Sequence, residues 1–122
     1  MKKILLIEDE VALSKTLKEY LSREKFEILS AFDGETGLAM AKEKLPDLVL
    51  LDIILPRKDG YTVLDELRSE EKTKNIPVII LTNMESSDDV RRALERGVTT
   101  YLIKSNYKLE DILGKVKEAL RS

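Results

Sequence analysis

The chain has 122 residues, of which 43% are hydrophobic and 36% are charged, so it is long enough for one domain with a buried core and too apolar to be disordered. Its 21 basic and 23 acidic residues are interspersed and give a net charge of −2, which leaves no basic patch for nucleic acid or an anionic membrane surface. The absence of cysteine and histidine excludes disulfides, zinc sites built from those ligands and histidine acid–base chemistry.

No repeat, low-complexity stretch or linker divides the sequence, and residues 1–122 are expected to form a single domain. The first apolar run, residues 4–7, is too short for a signal peptide or a membrane span. We therefore expect a soluble, cytoplasmic protein that does not bind membranes or, directly, nucleic acid.

Short apolar runs that predict strands alternate with segments of helical periodicity. The predicted strands are residues 4–7, 26–32, 48–51, 78–81 and 98–103. The helical stripes between and after them are carried by Leu13, Leu17, Tyr20 and Leu21; by Leu38, Ala41 and Leu45; by Val63, Leu64 and Leu67; by Val90, Ala93 and Leu94; and by Leu109, Ile112, Leu113, Val116 and Leu120. Strict alternation predicts an α/β fold with helices on both faces of a doubly wound, five-stranded parallel sheet, in the flavodoxin-like order 2-1-3-4-5.

Local signals place several helix ends. Asp33-Gly34 is expected to open the second helix, and Pro46 to close it. The segment 86–89, Ser-Ser-Asp-Asp, resembles a capping box at the start of the fourth helix, which Gly97 is expected to terminate.

Polar residues follow the apolar runs at the carboxyl ends of the strands. Glu8 and Asp9 follow the first strand, Asp52 follows the third, Thr82 ends the fourth and Lys104 follows the fifth. Open α/β sheets bind ligands at this edge, and strands 1 and 3 flank the point where the strand order reverses. Three carboxylates that meet there repel one another unless a divalent cation lies between them or some are protonated.

With these residues in place, the chain resembles the receiver domain of two-component response regulators over essentially its whole length. The resemblance is carried by Glu8-Asp9, by the segment 52–60 (DIILPRKDG), and by Thr82, Tyr101 and Lys104. It implies a phosphoryl-accepting signalling switch that binds Mg²⁺ and is not an enzyme beyond its own phosphorylation and dephosphorylation.

The resemblance assigns Asp52 as the nucleophile that takes a phosphoryl group and becomes an acyl phosphate. Asp9, Asp52 and the backbone carbonyl of Ile54 are then the direct ligands of Mg²⁺, and Glu8 acts through a bound water. From the residues alone, two other roles stand beside these. Asp52 could cap the turn that leads into Asp59-Gly60, and Asp9 could be the N-cap of the first helix.

The same resemblance gives Lys104 the task of offsetting charge on the transferring phosphoryl oxygens. Thr82 then donates its hydroxyl to the phosphoryl group, and the ring of Tyr101 swings inward as Thr82 moves. The alternatives are an ordinary β-branched strand residue for Thr82 and a half-buried amphipathic residue for Tyr101.

The chain has no histidine, so the donor is expected to be a partner histidine kinase, a phosphotransfer protein or a small acyl phosphate. On a helical wheel, Val11 lies opposite the Leu13/Leu17/Leu21 stripe, which makes it a candidate docking point for a partner helix. The output surface implied by the resemblance consists of the fourth helix, the fifth strand and the fifth helix.

Residues on that surface and in the loops depart from the usual pattern. Regulators that dimerise through this output surface typically carry acidic residues before the aromatic residue of the fifth strand and arginines along the fifth helix, but this chain has Thr99-Thr100 and Lys115/Lys117 there. We therefore expect a monomer or weak dimer that acts as a stand-alone relay. The alternative is a receiver cut from a multidomain regulator. Ser105 replaces a proline, which leaves the geometry of the loop 105–107 open. Asn83 replaces a small residue, which is expected to alter the access path to the phosphoryl group. Ile54 and Met84 flank the expected path of a hydrolytic water and cannot orient it, which predicts a long-lived phosphoryl group.

Three other functions compete with this interpretation. An aspartyl-nucleophile phosphatase needs a second acid two residues after Asp52, where Ile54 stands. A flavodoxin-type nucleotide module needs an anion-binding loop after the first strand, where Glu8-Asp9-Glu10 would repel phosphate. A degenerate receiver that serves only as a protein-interaction module is disfavoured by the full set of polar residues.

Overall fold

Five βα units follow one another along the chain. The computed structural model describes residues 1–121. Its elements are β1 (Lys3–Ile7), α1 (Val11–Ser22), β2 (Glu27–Ala31), α2 (Gly34–Lys44), β3 (Leu48–Leu51), α3 (Gly60–Ser69), β4 (Val78–Thr82), α4 (Ser87–Glu95), β5 (Thr100–Ile103), a short 3-10 helix (Lys104–Asn106) and α5 (Leu109–Arg121). Within residues 1–121 no helix is long and apolar enough to cross a membrane.

All strands are parallel, and their order is β2-β1-β3-β4-β5, which confirms the predicted topology. The central strands are buried along their whole length because helices cover both faces of the sheet. One core cluster lies between the sheet and α2, α3 and α4, and includes Leu38, Val63 and Ala93. The other lies under α1 and α5 and includes Leu17 and Val116.

Side-chain caps define the start of three helices. Asp33, Asp59 and Ser86 each accept a hydrogen bond from a backbone N–H in the first turn of α2, α3 and α4. Ser86 is therefore confirmed as the N-cap of α4, although the Asp89 carboxylate accepts from the Ser86 hydroxyl at 2.7 Å and not from its N–H, as a full capping box would require. The end of α4 is also confirmed, and Gly97 adopts a φ of +75° there.

One capping alternative is wrong. Glu10, not Asp9, occupies the N-cap position of α1, and no side chain caps that helix. Asp52 does cap the turn after β3, because its Oδ1 accepts a hydrogen bond from the Ile54 N–H at 3.3 Å, whereas α3 itself is capped by Asp59.

The outer strands are shorter than the apolar runs predicted. Phe26 and Phe32 fall outside β2, and β5 begins at Thr100 although the N–H of Thr99 already donates to the Val78 carbonyl at 2.8 Å. Phe26 and Val98 lie past the strand ends but still pack against the core clusters, and packing does not require ladder hydrogen bonds, whereas Phe32 is 45% exposed. The peptide bonds of residues 1–121 are all trans, that between Lys104 and Ser105 included.

Gly34 lets α2 approach the loop that follows Asp52. A Cβ at this position would lie 1.7 Å from the carbonyl oxygen of Lys58, whereas a Cβ at Gly114 in α5 would meet nothing within 4 Å. The Gly34 N–H also donates to the Pro56 carbonyl at 3.3 Å, so the contact fixes the loop against the helix.

We predict opposite effects for two glycine-to-alanine substitutions in helices. Gly34→Ala should lower the free energy of unfolding by about 2 kcal/mol, because backbone has to move to admit the methyl group. Gly114→Ala should raise it by about 0.5–1 kcal/mol through helix propensity. Urea denaturation measures both, and equal effects of the two substitutions would contradict the close approach.

Candidate functional site

Three carboxylates meet where β1 and β3 end. The strands run side by side, and the N–H of Asp52 donates to the Ile7 carbonyl at 3.0 Å, so the residues after both strands leave the sheet at the same height. Oxygen atoms of Glu8, Asp9 and Asp52 lie within 4.8 Å of one another. The side chains of Glu8 and Asp52 are buried, whereas Asp9 is exposed.

The ammonium of Lys104 lies between the two buried carboxylates. Its Nζ is 2.8 Å from Oε1 of Glu8 and 2.8 Å from Oδ2 of Asp52, and 3.6 Å from Oε2 of the exposed Glu10. Only 13% of the Lys104 side chain is exposed. The sequence predicted that Lys104 would reach this place, but not that it would pair with Glu8 and Asp52.

Burial and ion pairing act against each other at these groups. Burial raises the pKa of Glu8 above its ordinary 4.5, and hydrogen bonds from Lys104 and from the Glu10 N–H only partly offset that rise. Burial alone would lower the pKa of Lys104, but hydrogen bonds to Asp52 and Glu8 outweigh it and raise this pKa above 10.5. Lys104 is therefore a cation at every physiological pH.

The donor set suits a hard divalent cation. Oxygens on opposite sides of Mg²⁺ lie about 4 Å apart, so the cluster needs only small shifts to enclose the ion. Both oxygens of Glu8 accept hydrogen bonds, from Lys104 and from the Glu10 N–H at 3.0 Å, and both oxygens of Asp52 do so as well, from Lys104 and from the Ile54 N–H. Either buried carboxylate therefore has to give up a hydrogen bond to contact an ion directly. The water-mediated role of Glu8 stays a prediction.

Ile54 approaches Asp52 through its backbone. Its N–H donates to Oδ1 of Asp52 at 3.3 Å, and its side chain is 58% exposed at the mouth of the site. Coordination of Mg²⁺ by the Ile54 carbonyl stays a prediction.

Thr82 and Tyr101 both contact the loop between β4 and α4. Thr82 is fully buried, and its Oγ1 accepts a hydrogen bond from the Met84 N–H at 3.4 Å. The Tyr101 hydroxyl donates to the Met84 carbonyl at 2.7 Å, and burial raises the pKa of Tyr101 to about 12. The two predicted switch residues therefore bind the same residue, Thr82 through the N–H of Met84 and Tyr101 through its carbonyl.

Two residues that the sequence did not single out fix α3 to its neighbours. The hydroxyl of Tyr61 contacts the Asp89 carboxylate at 3.2 Å, and the guanidinium of Arg92 lies 4.0 Å from the centre of the Tyr61 ring. Arg68 donates to the carbonyls of Lys74, Ile76, Arg96 and Gly97 at the opposite edge of the sheet. Neither arrangement has a sequence signal, because the partners become neighbours only when α3 and α4 pack on the sheet.

Comparison with known proteins assigns the family. Residues 4–117 match the response regulator receiver domain, and the chain belongs to this family of two-component signalling proteins. It is 41% identical to the transcriptional regulatory protein CiaR of Streptococcus pneumoniae over 99% of this chain and 52% of that protein. It is 36% identical to the DNA-binding dual master transcriptional regulator RpaA of Synechocystis over 99% of this chain and 50% of that protein. The chain thus spans about half the length of these curated relatives.

A solved structure gives the same result for the fold. The receiver domain of the sensor histidine kinase PA1611 from Pseudomonas aeruginosa, which holds a magnesium ion in its active-site cleft, superposes with a TM-score of 0.90 at 26% identity. The match covers 99% of this chain and 98% of that one. The five-stranded architecture is thus that of a receiver domain.

We predict that Lys104→Met destabilises the protein in EDTA by about 2 kcal/mol at neutral pH, because it leaves two buried carboxylates without a cation. Because the pKa of Glu8 is raised in the folded protein, folding favours the protonated form of Glu8. The stability that protonation of Glu8 contributes is therefore present below about pH 4.5, and it is lost as the pH rises through the pKa that Glu8 has in the folded protein. The loss caused by Lys104→Met should therefore shrink as the pH falls. Chemical denaturation at two pH values measures this.

Lys42→Met is the matched control. Lys42 pairs with Glu70 at 2.9 Å, but both side chains are more than 40% exposed, so its removal should change stability little at either pH. A pH-independent loss in the Lys104 variant would contradict the electrostatic argument.

Proposed function

We propose that this receiver domain is a switch in which Asp52 accepts a phosphoryl group from a partner histidine kinase or phosphotransfer protein. The observation that carries the proposal is the ion pair of the buried Asp52 with Lys104 at 2.8 Å, next to Glu8 and Asp9 at the carboxyl edge of the sheet. A carboxylate that a cation holds in place beside the exposed Asp9 is oriented for attack on an incoming phosphorus atom.

In the proposed reaction an oxygen of Asp52 forms a bond to phosphorus while the bond to the donor breaks. The leaving group, an imidazole nitrogen of a phosphohistidine or the carboxylate of an acyl phosphate, keeps the electron pair. The product is an aspartyl phosphate. Lys104 neutralises part of the charge on the phosphoryl oxygens, which requires it to loosen its contact with Asp52 while it keeps that with Glu8.

Asp9, Asp52 and the Ile54 carbonyl would hold Mg²⁺, and Glu8 would act through water. When bound, the ion offsets negative charge on the phosphoryl group. The oxygen cluster at 4.8 Å supports this assignment, and so does the magnesium ion held by the receiver domain of PA1611.

The proposed readout passes through the loop between β4 and α4. The hydroxyl oxygen of Thr82 accepts a hydrogen bond from the Met84 N–H, which leaves the hydroxyl hydrogen for donation to a phosphoryl oxygen. A shift of Thr82 would move Met84 and, through its carbonyl, the ring of Tyr101. The output surface is then formed by α4, β5 and α5, where a downstream protein would bind.

Residues 1–122 are proposed to form one receiver domain that catalyses only its own phosphorylation and dephosphorylation. That the protein acts as a stand-alone, monomeric or weakly dimeric relay stays a prediction. CiaR and RpaA are about twice as long as this chain, so a receiver cut from a longer regulator is the alternative. The complete polar set at the site argues against a degenerate receiver that only binds proteins.

We predict that acetyl phosphate with Mg²⁺ increases the mass of the protein by one phosphoryl group. Intact-mass spectrometry measures the gain, which should be absent in Asp52→Asn and in EDTA. Asp9→Asn should reduce the rate because a direct Mg²⁺ ligand is lost, whereas Asp47→Asn, at the far edge of the sheet, should not. A mass gain that persists in Asp52→Asn would overturn the assignment of the acceptor.

Val11→Asp should slow phosphoryl transfer from a cognate histidine kinase by tenfold or more (about 1.4 kcal/mol) and leave transfer from acetyl phosphate unchanged. Val11 is 65% exposed at the start of α1, beside the site, where an apolar partner surface could cover it. Leu45→Asp is the control, since Leu45 is 44% exposed at the opposite edge. Equal losses with both donors would refute the docking role.

Polar substitutions that orient water should shorten the lifetime of the phosphoryl group. Ile54→Asn and Met84→Glu are expected to accelerate dephosphorylation by at least about tenfold, because the native side chains are apolar. The decay of the phosphorylated mass after removal of donor measures the rate, and Leu45→Asn serves as control. Unchanged decay in both variants would show that these side chains do not limit hydrolysis.

A further inference from the structure

The edge strand β2 presents backbone groups that pair with nothing in residues 1–121. β2 pairs only with β1, and the N–H of Glu27 and the carbonyl of Ala31 are among the groups that bond to the β1 side. Because the bonded residues of a parallel strand alternate, Ile28 and Ser30 direct their N–H and C=O groups away from the sheet. These groups make no hydrogen bond to backbone or side chains of the described chain.

The free edge forms the floor of a groove of about 500 Å³ between α1 and α2. On the α1 side the groove is lined by Lys15 and Lys18, and on the α2 side by Met40 and Leu29. The hydroxyl of Ser30, which also lines it, is buried without a hydrogen-bond partner. At the mouth, Phe32 is 45% exposed.

Few of the features that protect edge strands occur in β2. Its sequence, EILSA, contains no proline or lysine, its one charged residue is the exposed Glu27 at the start of the strand, and the apolar residues Phe26 and Phe32 flank it. An edge of this kind favours the addition of an extended segment.

The charge of the groove selects among possible occupants. Neither Lys15 nor Lys18 forms an ion pair with any residue from 1 to 121. A second copy paired antiparallel through β2 would place both α1 helices on one face of the joined sheet and bring the four lysines together. A strand with acidic side chains on one face and apolar side chains on the other fits the α1 and α2 walls at the same time.

We infer that the β2 edge binds an extended acidic segment of another protein by strand addition. The outward groups of Ile28 and Ser30 bind its backbone, Lys15 and Lys18 bind its acidic side chains, and Met40 contacts the apolar ones. This surface is separate from the output surface formed by α4, β5 and α5, and its occupation does not require phosphorylation of Asp52.

A capped synthetic hexapeptide of alternating aspartate and valine is the probe. Titration into the ¹⁵N-labelled protein should shift the amide signals of Ile28, Ser30 and Phe32 saturably, in the millimolar range, and should slow hydrogen exchange at the outward N–H groups. The same peptide N-methylated at alternate residues should not bind, because it cannot form the ladder. The Asp52→Asn protein should bind the peptide as the native protein does, so this outcome is independent of the phosphoryl chemistry.

Charge reversal tests the role of the lysines. Lys15→Glu combined with Lys18→Glu should weaken binding at least about tenfold, whereas Lys72→Glu combined with Lys108→Glu, of equal net charge, should not. The inference is overturned if no saturable shift occurs, if the N-methylated or a lysine–valine peptide binds equally well, or if the shifts lie on α4 and α5. It is also overturned if the β2 signals shift with protein concentration alone, because a second copy would then occupy the edge.

Discussion

The ion pairs of Lys104 with Glu8 and Asp52 are the constraint on which the rest of the site depends. Two buried carboxylates with oxygens within 4.8 Å of each other are costly unless a cation shares them, and Lys104 lies 2.8 Å from each. The three residues follow β1, β3 and β5, so the pairing requires the order β1-β3-β4-β5 to be correct. The site is thus a property of the sheet edge and not of any one loop.

The contacts of α4 explain how an event at this edge can reach a surface. Ala93 is the one buried side chain of α4, so polar contacts hold much of the helix in place. Asp89 is bound by Tyr61 of α3, and Met84, in the loop before the helix, is bound by Thr82 and Tyr101. Few apolar contacts need to be broken for α4 to shift, which keeps the free-energy cost of such a shift low.

The sequence predicted the parts of the molecule that depend on pattern. Alternation of apolar runs with helical stripes, together with right-handed crossovers, leads to the observed order of strands, and the capping residues Asp33 and Ser86 mark helix starts through local hydrogen bonds. Local signals failed at α1, where Glu10 rather than Asp9 takes the N-cap position. Contacts that join distant segments, such as those of Arg68 with four backbone carbonyls, could not be predicted. Every residue has a backbone carbonyl, so no residue type in the sequence marks the ones that Arg68 binds.

The charge of the site sets the order in which its partners can arrive. Glu8, Asp9 and Asp52 carry three negative charges when ionised and Lys104 carries one positive charge, so the cluster has a net charge of −2. A phosphoryl donor is itself anionic, and at about 4 Å like charges repel by about 4 kcal/mol per pair at an effective dielectric constant of about 20. A divalent cation cancels the net charge of the cluster, and Lys104 cannot do so alone. The phosphoryl acceptance proposed for Asp52 should therefore depend on a bound cation more steeply than the stability of the fold does, because the fold needs only the partial compensation that Lys104 already provides.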